Sequence, residues 1–67
     1  MYPNCKAELA RQDITLEMLA KVLGRSLTTV SQKLKGRYPL TLREAKAIKN
    51  FLNVDIPLEV LFEEAND

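Results

Sequence analysis

The chain has 67 residues, with ten Lys and Arg against nine Asp and Glu, no His, no Trp and a single Cys. A chain of this length is expected to form one domain, residues 1–67, with a small core, because short chains bury only about 60% of the surface they expose when unfolded. The missing His removes the usual general base near neutral pH, and one Cys makes a Cys/His zinc site or an intrachain disulfide impossible, so a binding protein without cofactor or metal is expected rather than an enzyme.

Leu, Ala, Glu and Lys dominate, which favours helix, and turn signals divide the chain into five short helical stretches. The first is expected over residues 4–12, with Asn4 as its N-cap and Cys5 and Leu9 on one face. The second is expected over 16–23. Thr15 caps it, and Leu16, Leu19, Ala20 and Leu23 form an apolar stripe at i, i+3, i+4, i+7. Gly24 follows directly, in the place of a left-handed C-terminal cap. The third is expected over 27–35, with Ser26 as N-cap and Gly36 as its stop. Only Arg25 and Ser26 separate Gly24 from this helix, a connection too short for the two helices to run antiparallel, so they must cross steeply. The fourth is expected over 42–52. It opens on Thr41-Leu42-Arg43-Glu44, a capping box, lines up Ala45, Ile48 and Leu52, and closes at Asn53. The fifth is expected over 57–65, with Pro57 at its first position and Leu58, Leu61 and Phe62 as its apolar edge. The whole reads as a compact, all-α, five-helix domain.

The net charge of +1 conceals an asymmetry. Residues 1–54 carry all ten basic side chains and four acidic ones, whereas residues 55–67 carry five acidic ones and no base. Between residues 21 and 49 eight cations face Glu44 alone. A basic middle of this kind is the electrostatic footprint of a nucleic-acid binder. The third helix sharpens that reading. Thr28, Ser31, Gln32 and Lys35 share the face opposite Val30 and Leu34, with no acid among them. Hydroxyls and an amide are groups that reach base edges in a DNA major groove, and an acid there repels phosphate. Around it, Thr15 at a helix N-terminus, Arg25 in the turn, Lys33, Lys35, Arg37 and Tyr38 at or past the end of the third helix, and Arg43 at the start of the fourth supply candidate phosphate contacts.

Residues 14–36, with Ala20, Gly24, Ser26, Val30 and Gly36 as anchors, resemble the helix-turn-helix of the phage Cro and C repressors, the XRE-type family. The five-helix layout extends the likeness over nearly the whole chain. The segment Arg37-Tyr38-Pro39-Leu40-Thr41-Leu42-Arg43-Glu44-Ala45 is similar to small repressors of phages and prophages of Gram-positive bacteria. The resemblance implies base reading at Leu27, Thr28, Ser31 and Gln32, and phosphate contacts at Thr15, Lys33, Lys35 and Arg37. It departs from the family pattern at Leu16, where Gln is frequent, at Lys35, where Asn is frequent, and at Arg25, where the turn often has Val or Ile.

The function expected is therefore a sequence-specific transcriptional regulator, a Cro-like repressor binding an inverted-repeat DNA operator in the cytoplasm of a bacterial host. One recognition helix reads only a few base pairs, so a homodimer is expected, at least on DNA. The apolar fifth helix offers Leu58, Leu61 and Phe62 as a dimer surface. The lone Cys fits a reducing compartment, no apolar run is long enough to span a membrane, the N-terminus begins no targeting segment, and no small-molecule ligand is expected. The alternative is a protein-interaction module of the same fold, antitoxin-like or anti-repressor, with only weak non-specific DNA binding.

Overall fold

A computed structural model describes residues 2–64. Five helices follow one another, α1 (Pro3–Arg11), α2 (Leu16–Leu23), α3 (Leu27–Leu34), α4 (Leu42–Leu52) and α5 (Leu58–Leu61), and no strand occurs among the described residues. The N-terminal cap signals act locally. Thr15, Ser26 and Thr41 each have extended backbone, and each hydroxyl accepts a hydrogen bond from the amide three residues on, Met18, Thr29 and Glu44. This satisfies an amide that the helix itself leaves without a partner. At the other end of α2, Gly24 adopts the left-handed conformation with φ of 65° and donates its amide to the Ala20 carbonyl. Asn53 ends α4 in the same way, at φ of 54°.

α2 packs on both α3 and α4, while α5 lies against α4 and α1. One cluster of buried side chains joins all five helices: Cys5 and Leu9 of α1, Leu19 and Ala20 of α2, Val30 of α3, Ile48 and Leu52 of α4 and Leu61 of α5, with Tyr2 beside them. The apolar stripes read from the sequence supply nearly all of it. Two side-chain amides tie α1 across the fold. Gln12 Nε2 donates to the Leu52 carbonyl at the end of α4, 3.0 Å away. Asn4 Nδ2 donates to the Val60 carbonyl of α5 at 2.8 Å.

Three expectations are corrected. Asn4 is not the N-cap of α1. The helix begins at Pro3 with Tyr2 at the cap position and no side-chain cap, because the Asn4 amide is engaged with α5. α5 is a single turn, with Pro57 preceding it as N-cap; the expected extension to residue 65 runs past Glu64 and so partly outside the described residues. Leu61 is not a dimer contact. It is wholly excluded from solvent within its own chain, because the turn after Pro57 drives it into the gap between α1 and α4. Cys5 is also buried, and burial pushes its thiol up to about 11. It is a small apolar side chain here, not a reactive thiolate.

Truncating a buried Leu costs about 2–5 kcal/mol. Leu61→Ala should lower the urea-unfolding free energy by that amount, independently of protein concentration; a loss that vanishes at low concentration would place Leu61 between protomers instead.

Candidate nucleic-acid interface

Two residues, Arg25 and Ser26, connect α2 to α3, and the Arg25 amide still donates to the Ala20 carbonyl at 3.0 Å. α3 therefore leaves α2 at once and buries only Val30, with Leu34 half buried. The rest of its surface is partly or fully open to solvent. Leu27 is 45% exposed, Thr28 and Lys35 are exposed, and Ser31 and Gln32 are half buried. Leu27 thus belongs to the outer side of the helix rather than to the core edge. No acidic side chain lies on α3.

The other expected positions divide. Thr15 is exposed at the start of α2, its hydroxyl engaged as the cap. Arg37 and Tyr38 are exposed just beyond α3, where the Arg37 amide donates to the Gln32 carbonyl and continues the last turn. Arg43 is exposed too, but it borders a shallow depression on the outer side of α4 with Lys46 and Asn50, which no α3 side chain lines. Ser31 and Lys35 line a different recess, a cleft of about 400 Å³ whose walls include Lys6 and Ala10 of α1 and Leu16 of α2. Lys6 was not picked out from the sequence. Its place beside Ser31 and Lys35 depends on how α1 docks, and no local pattern announces that.

Lys33 differs from its expected role. Its ammonium is turned inward, donating to Glu44 Oε1 at 2.8 Å and to the Pro39 carbonyl at 3.1 Å, and its side chain is only 12% exposed. It is a buried partner of α4 rather than a free cation offered to phosphate. Glu44 is itself buried. Its Oε1 also accepts from the Thr41 amide and hydroxyl, both at 3.0 Å. Its Oε2 is buried and accepts no hydrogen bond among the described residues; Arg25 Nε lies 3.5 Å from it. Arg25 keeps 53% of its side chain in solvent, so its charge is shared between Glu44 and the surface. The lone acid in the basic middle of the chain is thereby enclosed by two cations.

A family model described as helix-turn-helix matches residues 6–58, which takes in most of α1, all of α2 to α4 and the start of α5. The chain belongs to the XRE-type helix-turn-helix family. Its members' domain is a DNA-binding, regulatory one, and this chain is accordingly a DNA-binding transcription regulator. Searches of curated proteins and of solved structures find no match. Within the family frame, α2 and α3 are the helix-turn-helix pair. Among the described residues no helix is long and apolar enough to cross a membrane.

Burial pushes the Glu44 carboxyl up, but the hydrogen bonds from Lys33 and Thr41 outweigh it and hold the group down at about 2, against an ordinary 4.5. A carboxylate depressed in the folded state contributes stability that is complete above its unfolded value and is lost as pH falls through its folded one. The unfolding free energy should therefore decline between about pH 5 and pH 2, by on the order of 1–3 kcal/mol from this group. Glu8, held below the usual range by the hydrogen bond from Arg11, adds a slope of the same sign. Urea titrations of wild type and Glu44→Gln isolate the Glu44 part: the variant should be less stable at pH 7, with the gap closing near pH 2. A constant gap would mean that the carboxylate charge is not what stabilises the fold.

Proposed function

We propose that this regulator is a Cro-like repressor of phage or prophage origin, which binds an inverted-repeat operator as a homodimer in the bacterial cytoplasm. It blocks transcription by occupying the operator. The observation that carries this reading is α3 itself: it bears no acid and gives only Val30 fully to the core, with Leu27, Thr28 and the adjoining Lys35 exposed and Ser31 and Gln32 half buried. In this reading Gln32 bonds an adenine edge, Thr28 and Ser31 bond adaptable base edges, and Leu27 covers a thymine methyl. Thr15, Arg25, Lys35, Arg37 and Tyr38 meet phosphates and fix the register. Lys6 joins them from α1, and Arg43 contributes from further off, on α4.

A homodimer suits a chain with a single eight-residue recognition helix, because one such helix reads only a few base pairs and twofold partners place their helices roughly 34 Å apart on successive major grooves. One protomer addresses one half-site. For the contact between protomers we favour the groove between the start of α4 and α5, where Leu40, Leu42, Leu58 and Phe62 come together. Leu42 is 63% exposed there, with no core role to explain an apolar residue. Phe62 takes part only at its edge, since its ring already meets Tyr2 edge-to-face at 5.6 Å.

Two substitutions separate base reading from phosphate contact on a duplex enriched from a random pool. Gln32→Ala should cost about 1–3 kcal/mol on that duplex and little on random DNA. Lys35→Ala should weaken both about equally and reduce the salt slope by about one. Equal losses on both DNAs for Gln32→Ala would remove it from the base-reading set. For the dimer, Leu42→Glu should shift sedimentation equilibrium toward monomer and abolish the advantage of an inverted repeat over a half-site; unchanged sedimentation would place the interface elsewhere.

A further inference from the structure

α3 has eight residues, too few to be stable in isolation, and its apolar hold on the core is the buried Val30 and the partly buried Leu34. The turn fixes where it starts. The segment after it, Lys35 to Pro39, is exposed throughout and is tied only to α3 itself, by the Arg37 amide on the Gln32 carbonyl and the Lys33 ammonium on the Pro39 carbonyl. What spans both ends is a single carboxylate of α4. Glu44 Oε1 takes the ammonium of Lys33, in the last turn of α3, at 2.8 Å, and its Oε2 faces Arg25, one residue ahead of the Ser26 cap, at 3.5 Å. Glu44 in turn is locked by the Thr41 amide and hydroxyl. Burying such charges is seldom the cheapest way to stabilise a fold, since well-packed apolar replacements are often as stable or more so. Hydrogen-bonded charges do, however, specify a direction that a greasy contact leaves free to slide.

We infer that Glu44 is a positioning residue for sequence reading: by hydrogen-bonding Lys33 in the last turn of α3 and pairing with Arg25 just ahead of its cap, it sets the angle at which that helix enters the groove, and it draws the Lys33 ammonium away from phosphate. This rests on the base-reading role proposed for α3. The consequence runs against simple electrostatics. Removing an acid from a DNA-binding protein should tighten its hold on any DNA, whereas removing this one should blunt discrimination between sequences.

The test uses the full chain with Glu44→Gln, Lys33→Met and the double variant Lys33→Met/Glu44→Leu, which keeps the site filled if a single change prevents folding. Each is studied at a temperature where circular dichroism shows it folded. Two quantities are measured: the ratio of affinities for the enriched and random duplexes across a salt series, and amide residual dipolar couplings that give the orientation of α3 relative to α4 without DNA. Expected are a ratio reduced about tenfold or more, the scale of one misaligned base contact, a Lys33→Met salt slope on random DNA equal to that of wild type, and altered α3 couplings. A folded double variant with wild-type couplings overturns the inference, whether or not DNA is read. So does a wild-type ratio in that variant, or a Lys33→Met slope lower by about one. A wild type that prefers no sequence removes the base-reading role instead, and the couplings then decide whether the clamp orients α3.

Discussion

Gly24 ends α2 in the left-handed conformation, and only Arg25 and Ser26 follow before α3 begins. With so little chain between them, α3 cannot fold back along α2 and must cross it steeply. A helix held in that way has one side for the core and the rest for solvent. Val30, fully buried, and Leu34, packed against the core, seat it. Where α3 begins follows from this turn. The face carrying Thr28, Ser31 and Gln32 is outward because Val30 is inward, and the start of α2 at Thr15 is left exposed and capped.

Electrostatics complete what the turn begins. The cations of residues 21–49 do not act alike. Lys35 and Arg37 are exposed, Arg25 is divided between surface and core, and Lys33 is withdrawn altogether. Glu44 is the reason for the last two. Counted as charge it lowers the attraction of the region for a polyanion by one unit. Placed as it is, under Lys33 and beside Arg25, its charge is buried and paired. The acidic side chains Asp55, Glu59, Glu63 and Glu64 are exposed and grouped on and around α5.

The features legible in the sequence are those decided within a few residues. Thr15, Ser26 and Thr41 cap because each side chain reaches an amide three residues on. Gly24 and Asn53 stop helices through their own backbone freedom. The limits of α2 and α4 are therefore readable to the residue, and the helix-turn-helix with them. The features that were misread depend on partners far along the chain. Asn4 looks like a cap, yet its amide is taken by the Val60 carbonyl, 56 residues away. Leu61 and Phe62 look equivalent on an apolar edge, but only the docking of a single turn decides that Leu61 is sealed in and Phe62 lies against Tyr2. Lys33 and Lys35 look like neighbours in one basic run; α4 separates them by supplying Glu44 to the first. The capping role of Glu44 was plain from Thr41-Leu42-Arg43-Glu44, while its grip on α3, eleven residues back, was not.

The central claim is that the outward face of α3 reads DNA sequence, once in each protomer of a twofold pair. The most direct measurement is selection of the wild-type protein's preferred duplex from a random pool at about 0.15 M salt, followed by sequencing. The account predicts enrichment of an inverted repeat whose half-site centres lie about one helical turn apart. A pool that stays flat, with binding that varies only with salt, would contradict it and leave the basic surface as a non-specific polyanion site.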